Sequence, residues 1–419
     1  MRLVAAVFAL LVSLGVLAQP VEPVLAQARA NKAPLLDTLK ELVAIESGSR
    51  DAEGLARLAD LIAARLRSLG GEVQLVEVAD VYRMEDTPES IGRMVRATFR
   101  GKGAKRIMLI AHMDTVYPRG MLEKQPFRVD GDRAYGLGIS DDKQGIAVIL
   151  HAIAMLRTLG FSEYGTLTVL INGDEEISSP GSRSLITRLG AEHDATLSFE
   201  ASRVESDKLS LATAGIASVT LKVQGRASHA GSAPERGVNA LYELSHQILQ
   251  TRDLSDPATG LKMNWTVSQA GITRNMIPPA AQAMADVRVL RVADYERIEE
   301  QVRERFKKQL LPDAKVEMIF ERRRPPLEAS AASSAMARHA QGIYQELGMS
   351  LVVDAVAEGG GTDAAFAALK TQNAVVERFG LRGFGAHSTN DEYVMISSIE
   401  PRLYLAARLI MDLSRDNVR

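Results

Sequence analysis

"GTLTVLINGDEEISSPGS", Gly165 to Ser182, sets an apolar, β-branched run directly before three consecutive acids, Asp174, Glu175 and Glu176. The run reads as a buried strand. Three adjacent carboxylates at its end repel one another, so they suit either a solvated turn or a bound cation. Read alone, the stretch favours the turn.

Upstream, apolar residues recur at helical spacing in "LLDTLKELVAI" and "LARLADLIAARLRSLG", the second closed by Gly70-Gly71, and strands read from "EVQLVEV", "RMVRATF" and "RIMLIAHMD". A glycine-bearing loop, "YGLGISDDKQG", precedes the helical "IAVILHAIAMLRTLG"; downstream come a helix around "SRSLITRLG" and the strand "ATLSFEA". Apolar strands alternating with helices imply a three-layer α/β/α domain on a parallel or mixed sheet. From about Ala214 the pattern becomes βαββαβ, ending at "AKVEMIFE", which predicts a ferredoxin-like α+β unit with helices on one face of an antiparallel sheet. After "RRRPPL" long helical patterns return around "EGGGTDAAF". The expected organisation is an α/β domain in two parts, 27–213 and 326–419, with the α+β unit inserted at 214–325.

Met1-Arg2 and the apolar "LVAAVFALLVSLGVLA" form a signal-peptide pattern, with small residues suited to cleavage near Ala18 or Ala26. Residues 1–26 are therefore expected to be a signal peptide of an exported, periplasmic or secreted protein; a membrane anchor or a buried helix are the alternatives for this run. The 419-residue chain carries 50 Lys and Arg against 52 Asp and Glu, a balance that gives no ground for a nucleic-acid or anionic-membrane partner. It has no cysteine, so any metal site must be built from His and carboxylates.

Such groups stand at strand ends. "RIMLIA" delivers His112 with Asp114 two residues on, and the loop after Gly138 delivers Asp141 and Asp142. The opening stretch delivers Asp174, Glu175 and Glu176, "ATLSF" delivers Glu200, and "GFGAHSTNDEY" delivers His387. Singly, each reads as a turn or loop residue. Jointly they gather where an α/β sheet binds ligands, outside the carboxyl ends of its strands. Imidazoles and carboxylates without thiol suit Zn²⁺, with Co²⁺ or Mn²⁺ as substitutes. One bridging carboxylate with two further ligands for each ion makes a two-metal site, the ions roughly 3.5–4 Å apart.

This constellation resembles the dizinc metallo-exopeptidase family of glutamate carboxypeptidases, aminoacylases and succinyl-diaminopimelate desuccinylases. Within that family it is most similar to the glucarpidase-type, folate-hydrolysing glutamate carboxypeptidases. The resemblance runs from about residue 34 to the C-terminus, through "AHMDTVY", "GISDDK", "DEE", "SFE", "ASHAG", "GVNAL", "GGGTDAA" and "RLYLAARLIMDL". It implies His112 and Glu200 on one zinc, Glu176 and His387 on the other, and Asp141 bridging them, two Zn²⁺ per subunit. It makes Glu175 the general base and Asp114 the residue that orients His112, and it implies a cis Asp141–Asp142 peptide. His229 would act in the partner subunit's active site, in a homodimer formed through the inserted dimerisation or lid domain. Lys208, Asn275, Arg288, Arg324 and Gly360 would contact substrate, and removing Arg324 would raise KM for glutamate-ended substrates more than it perturbs folding.

The implied activity is hydrolysis of the amide bond to a C-terminal glutamate in folates, antifolates such as methotrexate and N-acyl glutamates. An aminoacylase or dipeptidase of other side-chain preference, a small-metabolite deacetylase or desuccinylase, and a non-catalytic metal-binding scaffold are the alternatives. The chain departs from the glucarpidase pattern at Gln144, where a glycine is usual, and carries Ile177, Ser178 and Pro180 where the family varies.

Overall fold

The run Thr166–Asn172 is an interior strand of a six-stranded sheet in the computed structural model, which describes residues 19–388 and 391–418. Across the sheet the order is Glu72–Val76, Met94–Arg100, Thr166–Asn172, Arg106–His112, Ala195–Ser198, Ala374–Val376. The first two strands are antiparallel to their neighbours and the last four are mutually parallel. Alternate residues of Arg106–His112 enter different cores. Ile107, Leu109 and Ala111 join the helices Lys32–Val43, Ala52–Ser68, Gln144–Thr158, Ala331–Glu346 and Ile399–Ser414 on one face. Met108 and Ile110 join Arg183–Glu192 and Ala364–Ala368 on the other. Both faces are thus covered, and each fully buried Leu or Ile contributes about 1.5–3 kcal/mol. This is the expected α/β/α layering.

Register decides where the chemistry sits. His112 pairs with Asn172, and Ile110 pairs with Ser198. The carboxyl ends of three parallel strands therefore finish together, and the segments that follow them carry Asp114, the acid run and Glu200.

The inserted unit holds the strands Gly215–Gln224, Lys262–Ala270, Ala280–Val289 and Lys315–Arg324 and the helices Ala240–Gln250 and Asp294–Phe306. Its sheet is antiparallel in the order second, third, first, fourth, the ferredoxin-like arrangement, with a core of its own around Leu221, Val287 and Ile298.

Two details differ from the sequence reading. A helix spans Glu22–Ala30 and buries Val24, Leu25 and Ala28 against the main core, so the expected boundary at residue 26 falls inside a packed element. Residues 1–18 of the expected signal peptide lie outside the described residues. The loop "ISDDK" is a single wide helical turn, Ile139–Lys143, leading straight into the helix that begins at Gln144. Among the described residues no helix is long and apolar enough to cross a membrane.

Candidate active site

Five side chains from five segments converge at the carboxyl edge of the sheet. His112 Nε2 lies 2.9 Å from Asp141 Oδ1 and 3.4 Å from Glu200 Oε1. His387 Nε2 lies 3.3 Å from Asp141 Oδ2 and 3.0 Å from Glu176 Oε2. In each triad one donor atom from every residue lies within 4.8 Å of the others. Asp141 belongs to both and turns a different oxygen to each, which is what a bridging carboxylate does. The residues fit a metal centre on a second ground: Glu176 Oε1 is buried with no hydrogen-bond partner, and a buried polar atom without a partner costs about 1–3 kcal/mol. A cation there would satisfy it.

The charges report the same crowding. Burial pushes the Glu176 carboxyl up to about 7, reinforced by Asp141. Asp141 and Glu176 hold the His387 imidazole up at about 11. His112 is raised as well, because Asp114, Asp141 and Glu200 outweigh its burial. Two imidazoles are holding together three carboxylates that divalent ions would neutralise.

Asp114 is the hub beneath this cluster. Its Oδ1 accepts from Glu175 N–H at 3.0 Å and its Oδ2 from Glu176 N–H at 3.1 Å and from Ser49 Oγ at 2.7 Å. His112 Nδ1 faces the Asp114 carbonyl at 3.1 Å and Oδ1 at 3.3 Å, both acceptors. Nδ1 therefore carries the proton and Nε2 is left as the ligand atom. The acid run bends in a tight turn, Glu175–Ile177, followed by Ser178 and Ser179 at φ 71° and 54°. This brings both glutamates to one centre. Asp174 holds the loop: it accepts from Gly181 N–H at 2.6 Å, Ser182 N–H at 3.1 Å and Ser182 Oγ at 2.6 Å.

Two further residues fix the bridging segment. Glu392 accepts from Gly138 N–H at 3.0 Å, Ser140 N–H at 2.8 Å and Asp141 N–H at 3.0 Å, and from Tyr117 Oη at 2.7 Å. Gln144 donates to Asp142 Oδ1 at 2.6 Å and to the Phe199 carbonyl at 2.9 Å, while its Oε1 accepts from Leu381 N–H. The Asp141–Asp142 peptide is cis.

The sequence pattern of "Peptidase family M20/M25/M40" matches residues 108–412, which holds every metal-centre residue above. The chain belongs to that family. It is a hydrolase of the metallo-carboxypeptidase class. This M20 peptidase is 46% identical over 398 residues to "Carboxypeptidase G2" of Pseudomonas sp. (strain RS-16), covering 95% of this chain and 94% of the relative. Among solved structures it is similar to the aminopeptidase PepT from Bacillus cereus ATCC 10987 (TM-score 0.74, 21% identity, 91% of this chain and 99% of the other). It is also similar to the M20 family metallo-carboxypeptidase Sso-CP2 from Sulfolobus solfataricus (TM-score 0.74, 16% identity, 91% and 99%). At those identities the two structures establish the fold.

In this M20 peptidase the residues expected to meet substrate are arranged differently from one another. Arg324, 3% exposed, places Nη1 2.7 Å from Glu175 Oε1 and 3.1 Å from Asp363 Oδ1, and donates through Nη2 to the Glu175 carbonyl. Burial pushes Glu175 well above the usual carboxylate range even against that guanidinium. Lys208 is 4% exposed and paired with Glu358 at 2.5 Å and Asp354 at 3.2 Å. Arg288 grips Asp286 and donates to the Gly359 carbonyl at 2.9 Å. Burial thus gives Lys208 and Arg324 each a carboxylate partner within the chain.

Open space surrounds Gly360, whereas a Cβ at Gly361 would meet Arg324 Cδ at 2.8 Å, so the close backbone approach is to Arg324. His229 and Asn275 form a separate exposed pair on the inserted unit, joined by Ala230 N–H donating to the Asn275 carbonyl at 2.9 Å. Gly231 and Ser232 N–H both donate to His229 Nδ1 at 3.1 Å, which makes Nδ1 an acceptor. No described hydrogen bond or ion pair links this pair to the metal centre. Sequence reasoning missed Glu392, Asp363 and Ser49. Glu392 and Asp363 stand inside motifs already quoted, but Ser49 carries no sequence signal.

Proposed function

We propose that the chain hydrolyses the amide bond to a C-terminal glutamate in folates, antifolates such as methotrexate and related N-acyl glutamates, using two Zn²⁺ per subunit. The observation that carries this is the pair of His–carboxylate triads sharing Asp141 with Glu175 alongside. The near full-length similarity to Carboxypeptidase G2 and the glucarpidase-like motifs point the specificity toward glutamate. His112, Glu200, Glu176 and His387 would hold the ions and Asp141 would bridge them. Such ions activate water and polarise a carbonyl. The chain's own part is to place a base. Glu175, held by its backbone on Asp114 and high in pKa through burial, takes the proton of the attacking water and returns it to the leaving amine.

Domain movement or substrate entry would free Arg324 from Glu175 to meet a substrate carboxylate in a bidentate pair. The internal pairing of Lys208 and Arg324 supports a second reading, an aminoacylase or dipeptidase that needs fewer cations for its side-chain pocket. A homodimer through the inserted unit fits that unit's edge strand Lys262–Ala270, which pairs on one side only, and the exposed Tyr242, Leu249, Val267 and Ile272 beside it. Export fits the N-terminal pattern, with cleavage near Ala18, because a cut at Ala26 would sever the packed helix Glu22–Ala30.

Zinc-loaded protein incubated with folate, methotrexate and a panel of N-acetyl amino acids tests the reading directly. Glutamate released from the pteroyl substrates supports it, and turnover of other acyl amino acids alone overturns it in favour of the second reading.

A further inference from the structure

A second cleft, about 810 Å³, opens between the two domains away from the residues of the metal centre, none of which lines it. The α/β domain contributes Tyr82, Arg183, Phe366, Leu369 and Lys370; the inserted unit contributes Val292, Tyr295 and Arg322. Tyr82, Val292 and Leu369 are each at least 40% exposed, so apolar surface stands uncovered here. The lining is mainly basic: Arg183, Arg188, Arg322 and Lys370 stand with one lining carboxylate, Glu192, which pairs with Arg188 at 3.6 Å, while Arg322 also pairs with Glu299 at 3.1 Å just outside the cleft.

Arg183 is the most enclosed cation of the cleft. Its guanidinium lies 4.0 Å from the Tyr82 ring centroid and 4.9 Å from that of Phe366. It donates through Nε to the Ser179 carbonyl at 3.2 Å and through Nη2 to the carbonyls of Ser178 at 2.5 Å and Arg323 at 2.8 Å. Among the described residues it has no carboxylate partner, and Nη1 donates to none of them. This half-buried cation touches only carbonyls, the Met84 sulfur and ring faces, and the carboxylates whose charge reaches it, Asp174 and Asp363, form no ion pair with it, so an anion in the cleft would be its first direct counter-ion. Burial accordingly pushes the Arg183 pKa down to about 10, a penalty that a bound anion relieves.

We propose that this interdomain cleft binds a small aromatic carboxylate, its ring among Tyr82, Val292 and Leu369 and its carboxylate on Arg183, Arg322 and Lys370. The three carbonyls that Arg183 holds belong to the loop after Glu176 and to the residue before Arg324. A ligand on Arg183 therefore bears on the two segments that carry the base and its guanidinium partner. The binding is independent of which substrate the metal centre takes.

The test follows 2-naphthoate fluorescence on the zinc-loaded full chain before and after chelator treatment, with neutral 2-naphthol as comparison. One saturable site should survive chelation, bind naphthol at least ~10-fold more weakly, and weaken ~10-fold or more both in the Arg322→Glu/Lys370→Glu double variant and in Val292→Trp, which fills the cleft. Loss of all binding on chelation overturns the proposal, because the acid then sits on the metals. So does equal affinity for naphthol, or a site indifferent to both variants.

Discussion

Asp141 turns Oδ1 to His112 and Oδ2 to His387, while Glu175 touches neither imidazole and is held instead by Arg324. The two acids should therefore fail in different ways. Glu175→Gln is expected to lower kcat by ~10²–10⁴-fold with bound metal retained, the usual range for a lost acid–base group. Asp141→Asn should lose both metals. Zinc stoichiometry by atomic absorption separates them, and equal metal loss in both variants would overturn the assignment of Glu175. Arg324, expected from the resemblance to contact substrate, is also a buried partner of Glu175 and Asp363. Cutting it to alanine strands two buried carboxylates, Glu175 and Asp363, and breaking a buried pair by removing one partner typically costs about 3–5 kcal/mol. Arg324→Ala should accordingly lower the denaturation midpoint and kcat together, and a change confined to KM with stability intact would show that the pair with Glu175 is not maintained in solution.

At the scale of elements, the centre depends on segments held by side chains that bind no metal. Gln144, at the start of a helix, links the Asp142 side chain, the backbone one residue before Glu200 and the strand-end backbone at Leu381. Gln144→Ala leaves three buried polar groups unpaired. It should cost about 1–3 kcal/mol for the worst of them and weaken metal affinity by ~10–100-fold, read by chelator competition and by chemical denaturation. An unchanged chelator midpoint would limit Gln144 to packing.

The same elements show what a reader of the sequence can and cannot see. The strands were legible because β-branched apolar runs must be buried on both faces, and the ligands because His, Asp and Glu ended those runs. The helix Glu22–Ala30 was not, because "VLA" there matches a cleavage motif as well as a helix face. Glu392 and Asp363 looked like any acids near glycine or aspartate. Nothing local distinguishes a carboxylate that will accept backbone N–H groups from one in water. The internal pairing of Lys208 was not legible because its partners, Asp354 and Glu358, lie 146 and 150 residues away, so it exists only in the fold.

For the whole molecule, the buried histidines outside the centre should contribute an acid-sensitive part of the stability that is separate from metal loss. His151 lies under the main helices, with Nδ1 2.9 Å from Asn31 Oδ1 and Nε2 2.9 Å from Thr38 Oγ1. Burial, with Arg65 adding to it, pushes its pKa down to about 4. His193, between the Leu189 carbonyl and Thr168 Oγ1, is also lowered, chiefly by burial. The unfolded chain titrates histidine near pH ~6.5. Below that value the unfolded state binds more protons than the folded one, so stability is complete above pH ~6.5 and falls as pH drops toward the folded value near 4. On chelator-treated protein the raised carboxyls of Glu175 and Glu176 take up protons in the folded state over the same interval and oppose this loss, so the contribution of His151 is read as the difference in urea-midpoint slope between pH 6.5 and 4.5 for the protein and its His151→Gln variant. His151→Gln keeps a hydrogen-bonding side chain but cannot titrate, so its midpoint should fall less steeply over the same interval, by up to one proton in the linkage slope. Parallel slopes for the two proteins would show that His151 takes up its proton without disturbing the helices around it, and would overturn its assignment as an acid-sensitive group.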